Sequence, residues 1–419
     1  LITKYFFKKM KLNIQFWLKF SLLNLCLVAA LGVLMRYKIG FEFPFFNQKN
    51  ILHSHSHFAF SGWITHTLMA LMVYYIQTKT TDFQVNKYRK IIVTNLICSY
   101  GMLIFFIIQG YGMISIIFST ASIFVSYVFG YYYIKDLRKL DTDFAAINWF
   151  KGAVIFNIIS SLGTFYLAYM MASKNVVQDL YLSSIYYFLH FQYNGWFFFA
   201  CIGLLFGFLN LKKSEHSFYE TSFKLFAISC VPAYFLSTLW LELPIWLYAI
   251  SVFAAIIQVF AWFKLLLVLI QTKKEYLKNF SVLLRYVLLF SCLALSIKFI
   301  LQLGSTIPSL SQLAFGFRPI VIAYLHLVLL AVISLFLLFY IYANHLIFIN
   351  KQIKIGLLVF TFGVLLNELV LAIQGITSFT YTIIPYVNEL LFIVALILLL
   401  GIGYVTYFSI KKVKNNPSL

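Results

Sequence analysis

The chain has 419 residues, 62% of them hydrophobic and 11% charged, with a mean hydropathy of +0.90 and a formal net charge of +20. A soluble domain carries roughly a quarter of its residues charged, so composition excludes a water-soluble fold. The positive charge falls in short clusters between apolar runs, which is the mark of membrane topology and not of a nucleic-acid surface.

In chain order, apolar stretches of the ~20 residues needed to cross a bilayer fall near 16–37, 54–77, 90–110, 112–134, 148–172, 181–209, 222–241, 244–271, 281–304, 319–346, 353–376 and 384–410. The reading is an all-α integral membrane protein of about twelve transmembrane helices. Leu1 to Lys9, ahead of Met10, read as an upstream translation artefact. The first apolar helix can direct insertion without a cleaved signal. All five cysteines (Cys26, Cys98, Cys201, Cys230, Cys292) lie within apolar stretches and read as small buried hydrophobes.

The connections alternate in charge. Lys8, Lys9 and Lys11 precede the first span. Lys87, Arg89 and Lys90, then Lys135, Arg138 and Lys139, then Lys212 and Lys213 follow the second, fourth and sixth. Lys273, Lys274 and Lys278 follow the eighth, Lys351 and Lys354 the tenth, and Lys411, Lys412 and Lys414 the last. The other connections carry few basic residues, so the positive-inside rule puts both termini in the cytoplasm.

Self-comparison shows a repeat. His57-Phe-Ala-Phe-Ser-Gly62-Trp63 in the second span returns 133 residues later as His190-Phe-Gln-Tyr-Asn-Gly195-Trp196 in the sixth. A weaker copy, His326-Leu-Val-Leu-Leu-Ala-Val332, follows 136 residues on in the tenth and lacks Gly-Trp. The chain thus divides into three pseudo-repeated four-helix units, about 1–143, 144–273 and 274–419. All three spans enter from the outer face, which sets the histidines at similar depth. Ionisable groups within a span are costly and tend to mark cofactors, pathways or relays. Imidazole is a common haem and copper ligand, so the three histidines are expected to ligate a metal or haem. His53 and His57 share a helical face while His55 points away; a loosely metal-binding interfacial loop is the other reading of that run. His66, His216 and His345 read as structural or interfacial. Trp63 and Trp196, each beside a glycine, are expected to set close helix packing.

On these residues the chain resembles subunit I of the haem-copper oxidases, whose twelve helices form three four-helix arcs with metal-ligating histidines on helices 2, 6, 7 and 10. The run His55-Ser-His57-Phe-Ala-Phe-Ser-Gly62-Trp63 is also similar to the H-x-H-x4-G-W motif of small oxidase-subunit-I-like membrane proteins. The resemblance implies a b-type haem held by His57 and His326, with His55 as a substitute for His57. It implies His190 as a copper ligand, and Arg36, Arg318 and Lys298 as cationic partners for haem propionates. Lys298 and Glu368 lie at comparable outer depth, so an ion pair between them is the other reading of that lysine. The departures from the family are equally plain. Tyr324 stands where the helix-10 pair has its first histidine; tyrosinate can ligate haem iron, which leaves a second haem open. The seventh span has no histidine, Asn194 stands where the family has a tyrosine, and copper stays in doubt. The inner halves of the spans hold almost no carboxylates, which argues against proton pumping.

The expected role is respiratory electron transfer, or the handling of oxygen or nitric oxide. A cytochrome or quinol donor, further membrane subunits and a bacterial cytoplasmic (inner) membrane follow from the resemblance. A twelve-helix secondary transporter, in its best form one for a transition metal, is the alternative. A cofactor-free structural subunit is a third reading.

Overall fold

A backbone in hydrocarbon must satisfy its own polar groups, which leaves this chain the helix as its element. The computed structural model describes residues 12–41, 43–80, 83–311, 317–379 and 381–411. Lys8, Lys9, Lys11, Lys412 and Lys414 lie outside the described residues. Among the described residues, eleven helices are long and apolar enough to cross a membrane: α1 (Ile14–Gly40), α2 (Gln48–Lys79), α3 (Val85–Gln109), α4 (Met113–Leu137), α5 (Ala146–Ala172), α6 (Gln178–Phe208), α8 (Ile245–Lys278), α9 (Val282–Gly304), α10 (Arg318–Ala343), α11 (Lys351–Ser378) and α12 (Val387–Ile410). The seventh predicted span is broken. It is a 14-residue helix, α7 (Ser217–Cys230), continued by a 3-10 stretch (Pro232–Thr238). Pro232 has no amide proton to give and crowds the preceding turn, which ends the α-helical ladder there. The chain is an all-helical, multi-pass membrane protein; among the described residues the β structure amounts to one isolated bridge, Phe144 with Lys212.

Two boundaries differ from the apolar pattern. Asn47 caps α2 by accepting from the Lys49 amide at 2.9 Å, so the helix begins six residues before the predicted 54 and carries His53, His55 and His57 on helical backbone. The interfacial-loop reading of that run falls. At the other extreme α8 continues to Lys278, because its last turns leave hydrocarbon and still form good helix with Lys273 paired to Glu215 at 3.5 Å.

The three histidine-bearing helices are the inner shaft. Of their most apolar 18 residues, 83% (α2), 83% (α6) and 50% (α10) are buried, against 22–44% in the other eight. Those outer helices turn large apolar side chains outward, among them Ile108, Met113, Phe253 and Leu267, as lipid contact requires. The ring closes where α1 meets α12, with the Thr406 hydroxyl donating to the Leu22 carbonyl at 3.1 Å.

Each shaft helix changes pitch just past its histidine. π-helical turns occupy Ala59–Thr65, Phe191–Phe197 and Leu327–Ser334. A π turn leaves carbonyls without their usual helical partners, and a polar side chain from the preceding helix bonds each π segment, at a carbonyl in the first and third and at a side chain in the second. The Asn24 amide donates to the Gly62 carbonyl at 2.6 Å, Asn157 accepts from the Gln192 amide at 2.8 Å, and the Ser291 hydroxyl donates to the Val332 carbonyl at 2.9 Å. The π turns are tied to one another by tryptophan. Trp196 Nε1 donates to the Thr65 hydroxyl at 3.2 Å, and Trp63 Nε1 donates to the Ser334 hydroxyl at 2.8 Å. Gly195 allows α5 this close: a Cβ there would lie 2.5 Å from Cβ of Phe156.

One end of the bundle collects basic residues. Lys79 bonds Asn210 at 2.7 Å and lies over the Phe144 ring, while Lys87 and Lys139 pair with Asp136 at 2.6 and 3.0 Å. In the connection after α4, the Ser214 hydroxyl donates to Asp143 at 2.7 Å and holds its carboxyl below the usual carboxylate range, helped by the Ser214 amide. These contacts join the ends of α2, α4 and α6 with the start of α3.

Candidate functional site

The histidines of α2 part company because residues two apart on a helix point to opposite sides. His55 turns toward α1 and α10. Its Nδ1 donates to the Val28 carbonyl at 3.1 Å, and His326 and Arg36 lie within electrostatic reach of its ring. His326 ties its own Nδ1 to the Ile322 carbonyl at 2.8 Å, one turn back on α10, and it too is in electrostatic reach of Arg36. Each imidazole is thereby fixed in orientation and keeps Nε2 for another partner. Both rings are half-buried, and no residue of Arg318–His326 is fully buried.

His57 faces elsewhere. Its ring lies flat on Phe106 of α3 with centroids 4.3 Å apart, and its Nε2 is 3.1 Å from the Tyr111 hydroxyl. The expected facing of His57 and His326 is corrected accordingly: His55 is the α2 histidine that faces α10.

His190 is also reassigned. Its Nε2 donates to the Cys230 carbonyl at 2.9 Å, and its Nδ1 accepts from the Asn194 amide at 3.0 Å. The break after Cys230 supplies that acceptor, because the following 3-10 turn leaves the carbonyl free. Both ring nitrogens of His190 are thus engaged in hydrogen bonds within the protein. Among the described residues, no group of three or more histidine, cysteine, aspartate or glutamate side chains could hold a metal ion. His190→Ala is expected to lower unfolding stability by about 1–3 kcal/mol, through the buried groups left unpaired, with any bound cofactor retained; thermal melts alongside an optical spectrum check both parts.

Tyr324, two residues before His326, points away from His55 and meets Tyr193 of the α6 π turn edge-on, with ring centroids 6.2 Å apart. Arg318 is exposed at the start of α10, and Arg36 is half-buried beside the histidine pair. Lys298 belongs to neither group. It is 3% exposed, lies against Phe299 and lines a cavity of about 10 Å³ with Asn194, Cys230 and Gln258, which is room for a single water. Its ammonium is on the His190 side of the shaft, so it is not one of the cations near Arg36.

Nor does Lys298 pair with Glu368. None of the ion pairs among the described residues includes either one, and Glu368 accepts only from the Asn367 amide, at 3.2 Å. A Lys298→Met, Glu368→Gln double-mutant cycle should thus give a coupling below about 0.5 kcal/mol. Breaking a buried pair would instead cost about 3–5 kcal/mol in either single variant.

Residues that the motif search passed over are Asn24, Asn157 and Ser291. They stand 133 and 134 residues apart, the spacing of the histidine repeat, and all three are buried. A search for polar residues at that interval in the preceding spans finds them. His66 packs against Trp17 of α1, its Nε2 3.4 Å from the Trp17 carbonyl, and His216 caps α7.

No family model and no curated protein matches the chain.

Proposed function

We propose that the chain is a haem-binding membrane protein of the oxidase-subunit-I type, with one b-type haem between α2 and α10 ligated by His55 and His326, and that it serves respiratory electron transfer. One observation carries the reading. Two imidazoles from different helices lie within electrostatic reach of one another, each tied through Nδ1 to a backbone carbonyl and each with Nε2 unused by the protein, beside Arg36. A carbonyl on Nδ1 is the usual means of fixing the tautomer and ring plane of a metal-bound histidine. The donor set therefore fits a haem that His55 and His326 would hold.

The bound group would supply one-electron redox chemistry. The protein's part is to bind it, orient it and exclude water. Arg36 would neutralise propionate charge, joined by Arg318 about 12 Å along α10 from His326. Val28 and Ile322 would hold the two imidazoles as neutral donors. The reading stops short of a reducing centre for oxygen or nitric oxide, since His190 is fully hydrogen-bonded.

The three-unit organisation, with boundaries near 143 and 273, is part of this proposal and rests on the recurring π turns. So is the orientation. Counting α7 as a crossing gives twelve, and the basic end faces the cytoplasm by the positive-inside rule, most simply at a bacterial cytoplasmic membrane with a cytochrome or quinol as donor. A secondary carrier is less favoured. It needs a substrate site at the membrane midplane between its repeats, and here the shaft helices meet there through close-packed tryptophan–hydroxyl contacts.

The test is an optical spectrum of detergent-purified protein from haem-replete cells, oxidised and dithionite-reduced, with a pyridine haemochrome assay. A split reduced α/β spectrum from a single haem b is expected. Purified, folded protein without a Soret band sinks the reading and moves it to a carrier or a cofactor-free subunit.

A further inference from the structure

The other face of α2 holds a second constellation. His53 and His57 share that face at i, i+4. The His53 ring meets Tyr111 edge-on with centroids 4.5 Å apart, His57 lies on Phe106, and the Tyr111 hydroxyl is 3.1 Å from His57 Nε2. His53 Nε2 is buried and has no hydrogen-bond partner. An unpaired buried ring nitrogen is costly and calls for a partner.

The turn that presents Tyr111 is built for the purpose of close approach. Gly110 has φ +61°, where L side chains are strained, and a Cβ on it would lie 2.6 Å from Asn50 Oδ1 of α2. Only glycine lets the α3–α4 turn fold back over the first turns of α2. The phenol is thus set down beside the two imidazoles by backbone geometry.

We propose that His53, His57 and the Tyr111 hydroxyl form a binding site for one divalent late-transition-metal ion, zinc or copper(II), at the end of the bundle opposite the basic face. Two histidines one helical turn apart can converge on a single ion, with metal–nitrogen bonds of about 2.0–2.1 Å for zinc. His53 Nε2 gains the partner it lacks. His57 Nε2 exchanges its hydrogen bond for the metal, and the neutral phenol oxygen becomes the adjacent donor, with water completing the shell. Two imidazoles and an oxygen suit zinc and copper. Lys49 lies in electrostatic contact with His53, which disfavours hard cations held by charge alone, such as calcium or magnesium. A bound ion would pin the α3–α4 turn onto the helix that carries His55. The site stands on a different face from His55 and His326, so it does not depend on the haem reading.

The experiment uses untagged, chelator-stripped protein in detergent, titrated with Zn²⁺ alone by calorimetry and with Cu²⁺ alone by electron paramagnetic resonance. One equivalent of Zn²⁺ is expected, with nitrogen hyperfine structure in the Cu²⁺ spectrum and no binding of Ca²⁺. His53→Gln and His57→Gln should each weaken binding by on the order of 100-fold, and Tyr111→Phe by about tenfold. His57→Gln disturbs the stack on Phe106, so His53→Gln decides: its Nε2 makes no bond in the protein to lose. Wild-type protein that takes up no zinc, or His53→Gln that binds as tightly as wild type, overturns the proposal.

Discussion

His55→Ala and His326→Ala are each expected to abolish the split reduced α/β spectrum, while His57→Ala leaves it in place. The reason is helical geometry. Residues two apart are rotated by roughly 200°, so His55 and His57 cannot serve the same space. His55 is turned to α1 and α10, and His57 is stacked on α3. Were His55 and His326 to hold the proposed haem, removing either imidazole would take away a ligand that no neighbouring side chain is placed to replace, since Tyr324 faces Tyr193. Loss of even an outer partner of such a ligand costs about 10- to 100-fold in metal affinity, so loss of the ligand itself should empty the site. Haem content by pyridine haemochrome, measured beside the spectrum, separates loss of the group from a change in its ligation. The opposite pattern, with His57→Ala bleached and His55→Ala intact, would restore the pairing that the motif alone suggests.

The spans were legible in the sequence because hydrocarbon leaves little choice of structure, and twenty apolar residues mean a helix. The break at Pro232 was legible in principle, as was the cap at Asn47 that brings His53 into α2. Two features were not. Register within a helix depends on which neighbour each face meets, so the choice between His55 and His57 waited on the packing of α1, α3 and α10. The π turns have no composition of their own. They lie beside the polar residues Asn24, Asn157 and Ser291, two of which, Asn24 and Ser291, donate to carbonyls that the wider turn leaves free. The hydrogen bonds of His190 were hidden for a related reason. Its repeat position matched His57, but its partners, the Cys230 carbonyl and Asn194, come from a helix break and a π turn.

Trp196→Ala is expected to lower stability by about 3–5 kcal/mol, the range for removing a large aromatic side chain from a packed core. Trp196 is fully buried, so the cavity opens within the shaft. The variant also leaves the Thr65 hydroxyl without the indole that donates to it. Trp196→Phe should cost less, near 1 kcal/mol for the hydrogen bond and the smaller ring. The third junction supports that ordering. Tryptophan and hydroxyl stand at equivalent positions in Trp63–Ser334 and Trp196–Thr65; the corresponding residues of the remaining pair are Val332 and Phe198, both apolar and buried. Replacing both partners of a hydrogen bond by apolar groups is close to neutral, whereas removing one is not. Trp196→Phe combined with Thr65→Val should accordingly melt nearer to wild type than Trp196→Ala, by scanning fluorimetry in one detergent. A Trp196→Ala protein that melts with wild type would mean that the shaft is held by its outer helices and that the tryptophan contacts only follow.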